Sequence, residues 1–158
     1  MDFDTRVGAY GVVLQEDQLL LSLWDGPNHP VWTLPGGGME PHETPEISCV
    51  REIEEETGYL SELQGLLGVT SRTIPAERRL HGQPRPLLAV QILFRARILS
   101  GELRAEVGGS SIDAAWLPLT ELARLQVEEP HRVSPHVVAA LDLAGIELPT
   151  DAHSGERP

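Results

Sequence analysis

The chain contains no lysine. All 12 of its basic residues are arginine, set against 24 aspartates and glutamates in 158 residues, for a formal charge of -12. This excludes a P-loop lysine beneath a nucleotide phosphate, Schiff-base catalysis and pyridoxal phosphate attachment. The acidic balance argues against a general binder of nucleic acid polymers, which rests on net positive surface. A single cysteine, Cys49, cannot form an internal disulfide, so nothing points to an oxidising compartment. Long apolar runs are also missing: the longest, Leu87 to Phe94, is interrupted by Gln91 and too short to span a bilayer. The opening Met-Asp-Phe-Asp-Thr-Arg has neither a basic region nor an apolar stretch, so no secretory leader is expected and a cytoplasmic location follows as the default.

The length favours one domain, and the 41% hydrophobic, 23% charged composition is that of an ordinary globular chain. Val7 to Leu14 and Gln18 to Trp24 are β-prone runs separated by Gln-Glu-Asp, the pattern of a hairpin or meander. Val31 to Leu34 extends towards three consecutive glycines, Gly36 to Gly38, which promise an unusual backbone path. Thr44, Pro45 and Gly58 bracket a first helix as N-cap, first residue and left-handed terminator. Further strands are expected at Gln64 to Thr73, Leu87 to Leu99 and Ala114 to Leu117. Helices are expected over Leu119 to Leu125 and after Ser134-Pro135, the latter closed by Gly145. The pattern reads as an α/β fold, an α/β/α sandwich with a mixed sheet, over residues 1–148, with 149–158 as a frayed tail.

The sharpest feature is Arg51-Glu-Ile-Glu-Glu-Glu56 on the first helix. At about 100° per residue, Ile47, Val50, Ile53 and Thr57 form a stripe expected to face the sheet. Glu52, Glu55 and Glu56 gather on nearly the opposite side, with Glu54 pointing away from them. A solvated acidic face is the bland explanation. Against it, like charges three and four residues apart repel, and no lysine is present to relieve them. Hard cations such as Mg2+ favour an all-oxygen environment of this kind. Zinc is disfavoured, because no His/Cys cluster has ligand spacing. Other catalytic patterns fail: Pro41 blocks GxGxxG after Gly36, and no GxSxG occurs.

The segment Gly37 to Tyr59, GGMEPHETPEISCVREIEEETGY, resembles the signature of the Nudix hydrolases. Gly37, Glu43, Arg51, Glu52, Glu55, Glu56 and Gly58 fill every fixed position, and Ile53 and Tyr59 fill the apolar slots, Tyr59 being aromatic where the family is usually aliphatic. The preceding Trp32-Thr-Leu-Pro-Gly-Gly-Gly is similar to the family's lead-in. The resemblance implies hydrolysis of a diphosphate linkage in a nucleotide or nucleoside diphosphate derivative, with Mg2+ or Mn2+ offsetting charge on the phosphate oxygens. Carried over by position, it implies Glu52, Glu55 and Glu56 with the carbonyl of Gly36 as metal ligands. Glu52 and Glu55 then act in catalysis, and Arg51, paired with Glu43, braces the loop. The base is left open between the helical carboxylates and a later loop, where Glu102 and Glu106, then Asp113, are the candidates. Many members pair as homodimers. A nucleotide-sensing domain without turnover is the competing expectation.

Arg72 to Arg85 carries four arginines and one glutamate, a local charge of +3. Arginine forks suit phosphate oxygens, so Arg72, Arg78, Arg79 and Arg85 are candidates for holding the substrate, against the alternative of weak surface ion pairs. Trp32, shortly before the signature, is the best-placed stacking residue for a base. Trp116 and the six histidines are expected in packing or surface roles. Pro75 follows Tyr59 at a spacing close to that of ADP-ribose-type members, but a chain with 13 prolines makes that coincidence cheap. Between Gly37 and Tyr59 lie seven glutamates and one arginine, so this loop and helix hold -6 of the -12.

Overall fold

The structure is a computed structural model that describes residues 1–79 and 83–150. His81, His153 and most of the expected tail therefore lie outside the described residues. In chain order the elements are β1 (Asp4–Val12), β2 (Leu14–Gln15), β3 (Gln18–Trp24), β4 (Val31–Thr33), β5 (Gly36–Gly38), α1 (Pro45–Thr57), β6 (Tyr59–Ile74), β7 (Leu87–Gly101), β8 (Ser111–Pro118), α2 (Leu119–Glu128) and α3 (Pro135–Leu143).

Two sheets form where one mixed sheet was expected. The mixed sheet has the order β5-β1-β7-β6, with β1 parallel to β7 and the other pairs antiparallel. The second is antiparallel, with β3 flanked by β8 on one side and by β2 and β4 on the other. The run from Val7 to Leu14 divides after Val12, which lets the chain pass from one sheet to the other. Strand β6 begins at Tyr59, ahead of the expected start at Gln64, because it pairs with the full length of β7 through three register shifts.

Alternation sorts the mixed sheet into two faces. Ala9, Val13, Phe94 and Ala96 pack with Leu20 against Cys49 and Ile53 of α1. Val12 and Leu93 point the other way, joining Leu19, Leu21 and Leu117 under α2 and α3. Helices thus cover both faces, as the α/β/α reading requires. Helix α1 begins where expected: the Thr44 hydroxyl accepts from Ile47 N at 3.3 Å, and Gly58 closes it at φ 80°. Such a cap contributes about 1 kcal/mol. Ile53, fully buried, lies over Gly11, where a Cβ would stand 2.6 Å from its Cδ1.

The buried side of α1 corrects the expected stripe. Ile53 and Thr57 face inward, but Ile47 is 57% exposed and Val50 only half-buried, while Ser48, Cys49 and Glu56 are buried. The wheel placed Glu56 nearly opposite the buried stripe, whereas its hydrogen-bond partners draw its side of the helix inward.

Helix α3 brings a buried histidine over β1. The ring of His136 lies 5.0 Å from that of Tyr10, with Nε2 2.8 Å from Thr33 Oγ1 and Nδ1 2.8 Å from Ser134 Oγ. Ser134 therefore precedes α3 without capping it through its side chain. Burial, reinforced by the charge of Arg72, pulls the His136 pKa down to about 4. The unfolded chain binds a proton near pH 6.5 and the folded chain resists it, so stability is complete above pH 6.5 and falls as the pH drops to about 4. That interval is worth about 3 kcal/mol. Chemical denaturation of wild type and His136→Asn at pH 7.5 and 4.5 should show the larger loss in wild type; equal losses would contradict a neutral buried imidazole.

Candidate active site

Three glycines in a strand leave one edge of the mixed sheet without side chains. Strand β5 pairs with β1 as Gly8↔Gly38, Ala9↔Gly37 and Tyr10↔Gly36. Gly36 has φ 151°, and a Cβ there would lie 2.4 Å from the Ala9 carbonyl oxygen. At Gly37 a Cβ would stand 2.6 Å from Glu52 Oε1. The bare backbone thus lets α1 lay its carboxylates directly against the strand.

Glu56 is the most enclosed of them, only 5% exposed. Its Oε2 accepts from Gly36 N at 2.9 Å and from the Ser22 hydroxyl at 3.1 Å, and its Oε1 accepts from the Ser111 hydroxyl at 2.8 Å. Ser22 comes from β3 and Ser111 from β8, so one carboxylate ties α1 to both sheets. All three donors are neutral. Burial raises the Glu56 pKa to about 7, a shift that the hydrogen bonds oppose and the charge of Glu52 reinforces. The Glu52 carboxyl is raised as well, chiefly by burial; Arg51 counters this, while Glu55 and Glu106 add to it.

Arg51 organises the remainder. Its Nε and Nη2 donate to the two oxygens of Glu43 at 2.6 and 2.9 Å, and its Nη1 donates to Glu52 at 3.0 Å and Glu55 at 3.1 Å. Glu43 also accepts from Glu40 N at 2.8 Å, and the Arg51 guanidinium holds the Glu43 pKa down at about 2. A planar fork suits this two-oxygen grip on the loop before α1. Glu55, with its side chain 48% exposed, extends outward from the helix.

Of the late-loop candidates, Glu106 joins this cluster. Its Oε2 accepts from Ser111 N at 3.2 Å, so Ser111 touches Glu56 through its hydroxyl and Glu106 through its amide. Glu102 is exposed and meets Gly58 through its backbone carbonyl, and Asp113 accepts from its neighbour Ala114. Among the described residues no three His, Cys, Asp or Glu side chains converge as a ready-made ligand set.

The arginine-rich stretch divides. Arg79 is committed to Asp4 at 2.5 Å and to the Arg85 carbonyl at 2.8 Å, fastening the approach to β7 onto β1. Arg85 meets Asp2 at 3.2 Å on the surface, and Arg78 is exposed on a single 3-10 turn. Arg72 stands on β6, near Tyr10 and His136. Trp32 is half-buried against the core beneath α2 and α3, and the half-buried Trp116 donates to the Tyr59 hydroxyl at 3.1 Å. Ser22 and Ser111 went unnoticed in the sequence, although a serine inside Leu-Leu-Leu-Ser-Leu is a visible break in an apolar strand.

A glycine strand laid against a carboxylate helix, between a mixed sheet and its covering helices, agrees with what comparison finds. The NUDIX domain model matches residues 4–137, and the chain belongs to that family. It is 46% identical over 65 residues to a candidate 8-oxo-dGTP diphosphatase of Bacillus subtilis (strain 168), covering 41% of this chain and 43% of that one. Over 120 residues it is 32% identical to an ADP-ribose pyrophosphatase of Methanocaldococcus jannaschii, covering 75% and 65% of the two chains. The matched segment is thus under two thirds of each relative's length. A NUDIX hydrolase structure from Nitrosomonas europaea superposes with a TM-score of 0.74 at 21% identity, over 97% of this chain and 98% of that one.

A buried carboxylate with only neutral donors destabilises the metal-free chain whenever it is ionised. The folded pKa of about 7 lies above the unfolded value of 4.5, so the folding contribution is complete below pH 4.5 and lost as the pH rises through 7. In chelator, Glu56→Gln should therefore melt above wild type at pH 8 and level with it near pH 5. A variant that melts lower at both would show that the ionised form is the one the fold accommodates.

Proposed function

We propose that this chain is a divalent-cation-dependent hydrolase of a diphosphate linkage in a nucleotide or nucleoside diphosphate derivative. Its domain is taken to run over residues 1–148. One observation carries the reading: Glu56 is buried beside Glu52 with no cationic side chain to balance it. A divalent cation suits that imbalance, and the donors at hand are carboxylate and backbone oxygens without thiolate or imidazole, the set that Mg2+ or Mn2+ prefers.

Glu52, Glu56 and the Gly36 carbonyl would hold the cation, with Glu55 or Glu106 completing the set. When bound, the cation neutralises phosphate oxygens and lowers the pKa of a coordinated water. The protein side chains do the rest. Arg51 holds Glu52 and Glu55 in place while fixing the loop through Glu43. Glu55, exposed and anchored at one oxygen, would orient the attacking water and take its proton. The water oxygen bonds to phosphorus as the bridging P–O bond breaks, giving a nucleoside monophosphate and the other phosphorylated half, a second phosphomonoester from ADP-ribose or pyrophosphate from a triphosphate. The activities for which the two relatives are named support nucleotide anhydrides as the substrate class.

With Mg2+, ADP-ribose and 8-oxo-dGTP should release AMP and 8-oxo-dGMP, and chelator should abolish both reactions. Glu52→Gln and Glu56→Gln should lower kcat roughly 100-fold or more, on the scale of removing one preorganised electrostatic contact in an active site. Tight binding of either nucleotide without any product would favour the sensing domain instead.

A further inference from the structure

On the face of the mixed sheet beneath α3, three residues stand in one row. Arg6 of β1 pairs with Ala89 of β7, and Ala89 pairs with Arg72 of β6. Directly paired residues share a face, so both guanidinium groups rise from the same side, with their Cα atoms roughly 10 Å apart across the alanine. Both act on Tyr10, and Arg72 also acts on His136, which places them on the α3 side. Among the described residues, neither side chain makes an ion pair or a hydrogen bond, unlike Arg51, Arg79, Arg85, Arg97, Arg124 and Arg132.

The next row is equally bare of acid. Gly38, Gly8, Gln91 and Thr70 follow one another across the four strands. Gly8 contributes no side chain, and Gln91 accepts from the Thr70 hydroxyl at 3.1 Å, which leaves its amide N–H groups for another acceptor. Tyr10 and His136 wall the far side, and the imidazole is neutral at pH 7. Between the two arginines lie Gly8 and Ala89, both buried and with little or no side chain, and donors stand along their borders. The row meets the edge strand at Gly38, where a Cβ would lie 3.2 Å from Arg6 Nε, while the next residue, Gly37, faces Glu52 on the other side of the strand, so a substrate would join the two loci around the β5 edge. Ala89 lies two strands from β5, roughly 10 Å. That is further than the neighbouring phosphorus of an anhydride reaches.

We infer that Arg6 and Arg72 form a second phosphate-binding locus for a phosphomonoester on the part of the substrate remote from the cleaved linkage. The inference rests on the proposed diphosphate hydrolysis and names a chemical class within it: dinucleotide-like or sugar-linked diphosphates that carry an additional phosphate. Paired arginine forks match a dianionic phosphoryl group in charge and geometry. In a chain of -12 without lysine, two uncommitted arginines, with the acid of the adjoining row, Asp4, already paired to Arg79, are the contrast that selects for such a group.

The test uses two pairs of substrates that differ by one remote phosphate: ADP-ribose with its 2′-phosphate, and NADH with NADPH. Wild type should favour the phosphorylated member about tenfold in kcat/KM, through KM. Arg6→Gln and Arg72→Gln should each bring that ratio towards one, and Arg72→Lys should restore part of it. A nucleoside triphosphate beside its diphosphate serves as the third arm; if only that pair responds to the substitutions, the row grips the phosphate chain and the remote-phosphate inference is overturned. Binding of ADP-ribose 2′-phosphate by calorimetry in chelator gives a readout that needs no turnover. If the Kd weakens about tenfold in both variants, the locus stands even where the proposed hydrolysis fails. If wild type and variants bind equally and keep equal ratios, the locus is wrong, whatever the fate of the hydrolase reading.

Discussion

The Glu56 carboxylate is where the molecule's parts meet. It draws a backbone amide from β5, a hydroxyl from β3 and a hydroxyl from β8 onto one residue of α1. Helix position, sheet spacing and the path of the glycine strand all have to agree for those three bonds to form together. The interior must also tolerate a group whose ionisation is resisted by its own surroundings. A well-packed apolar residue would serve stability better at that place, so the arrangement makes sense as a device whose resting state is electrostatically incomplete.

The glycines complement it. Most folds set the distance between helix and strand by the size of the side chains between them, but here β5 offers only main chain, and Glu52 and Glu56 lie against it. Side-chain freedom is removed from one partner altogether. Arg51 then limits the other, because one guanidinium shared by Glu43, Glu52 and Glu55 keeps loop and helix from drifting apart. Rigid backbone on one side and a charged clasp on the other give the oxygens of the site a common frame.

Much of this was legible in the residues. The ends of α1 followed from Thr44, Pro45 and Gly58, because capping is local chemistry. The Arg51–Glu43 pairing followed from the resemblance, and the shared face of the carboxylates from helical spacing. What failed was the direction of burial. A helical wheel takes every glutamate as solvent-seeking, and the partners that reverse this for Glu56 lie 20, 34 and 55 residues away in sequence. That Glu106 rather than Glu102 lies beside Glu56 was hidden for the same reason, since only folding brings Ser111 between Glu56 and Glu106. The arginine stretch misled by proximity: Arg72, Arg78, Arg79 and Arg85 scatter to different duties, and the arginine that shares a row with Arg72 is Arg6, near the other end of the sequence's first half. The second sheet escaped because β3, β4 and β8 were each legible as strands while their pairing, which joins β3 to the distant β8, was not.

Strand β6 forms one border of the mixed sheet over 16 residues, with Leu66 and Val69 more than half exposed. A straight ribbon of that length would invite another chain to add itself to the ladder. The register shifts at Leu60/Ser61, Leu63/Gly65 and Leu66/Gly68 interrupt its first part every few residues. Each shift re-aims the backbone and sharpens its twist, so the run of amides and carbonyls that lies in a line is confined to Gly68 to Ile74. The irregularities that make β6 hard to trace in sequence thus shorten the stretch of this long hairpin edge that another strand could copy.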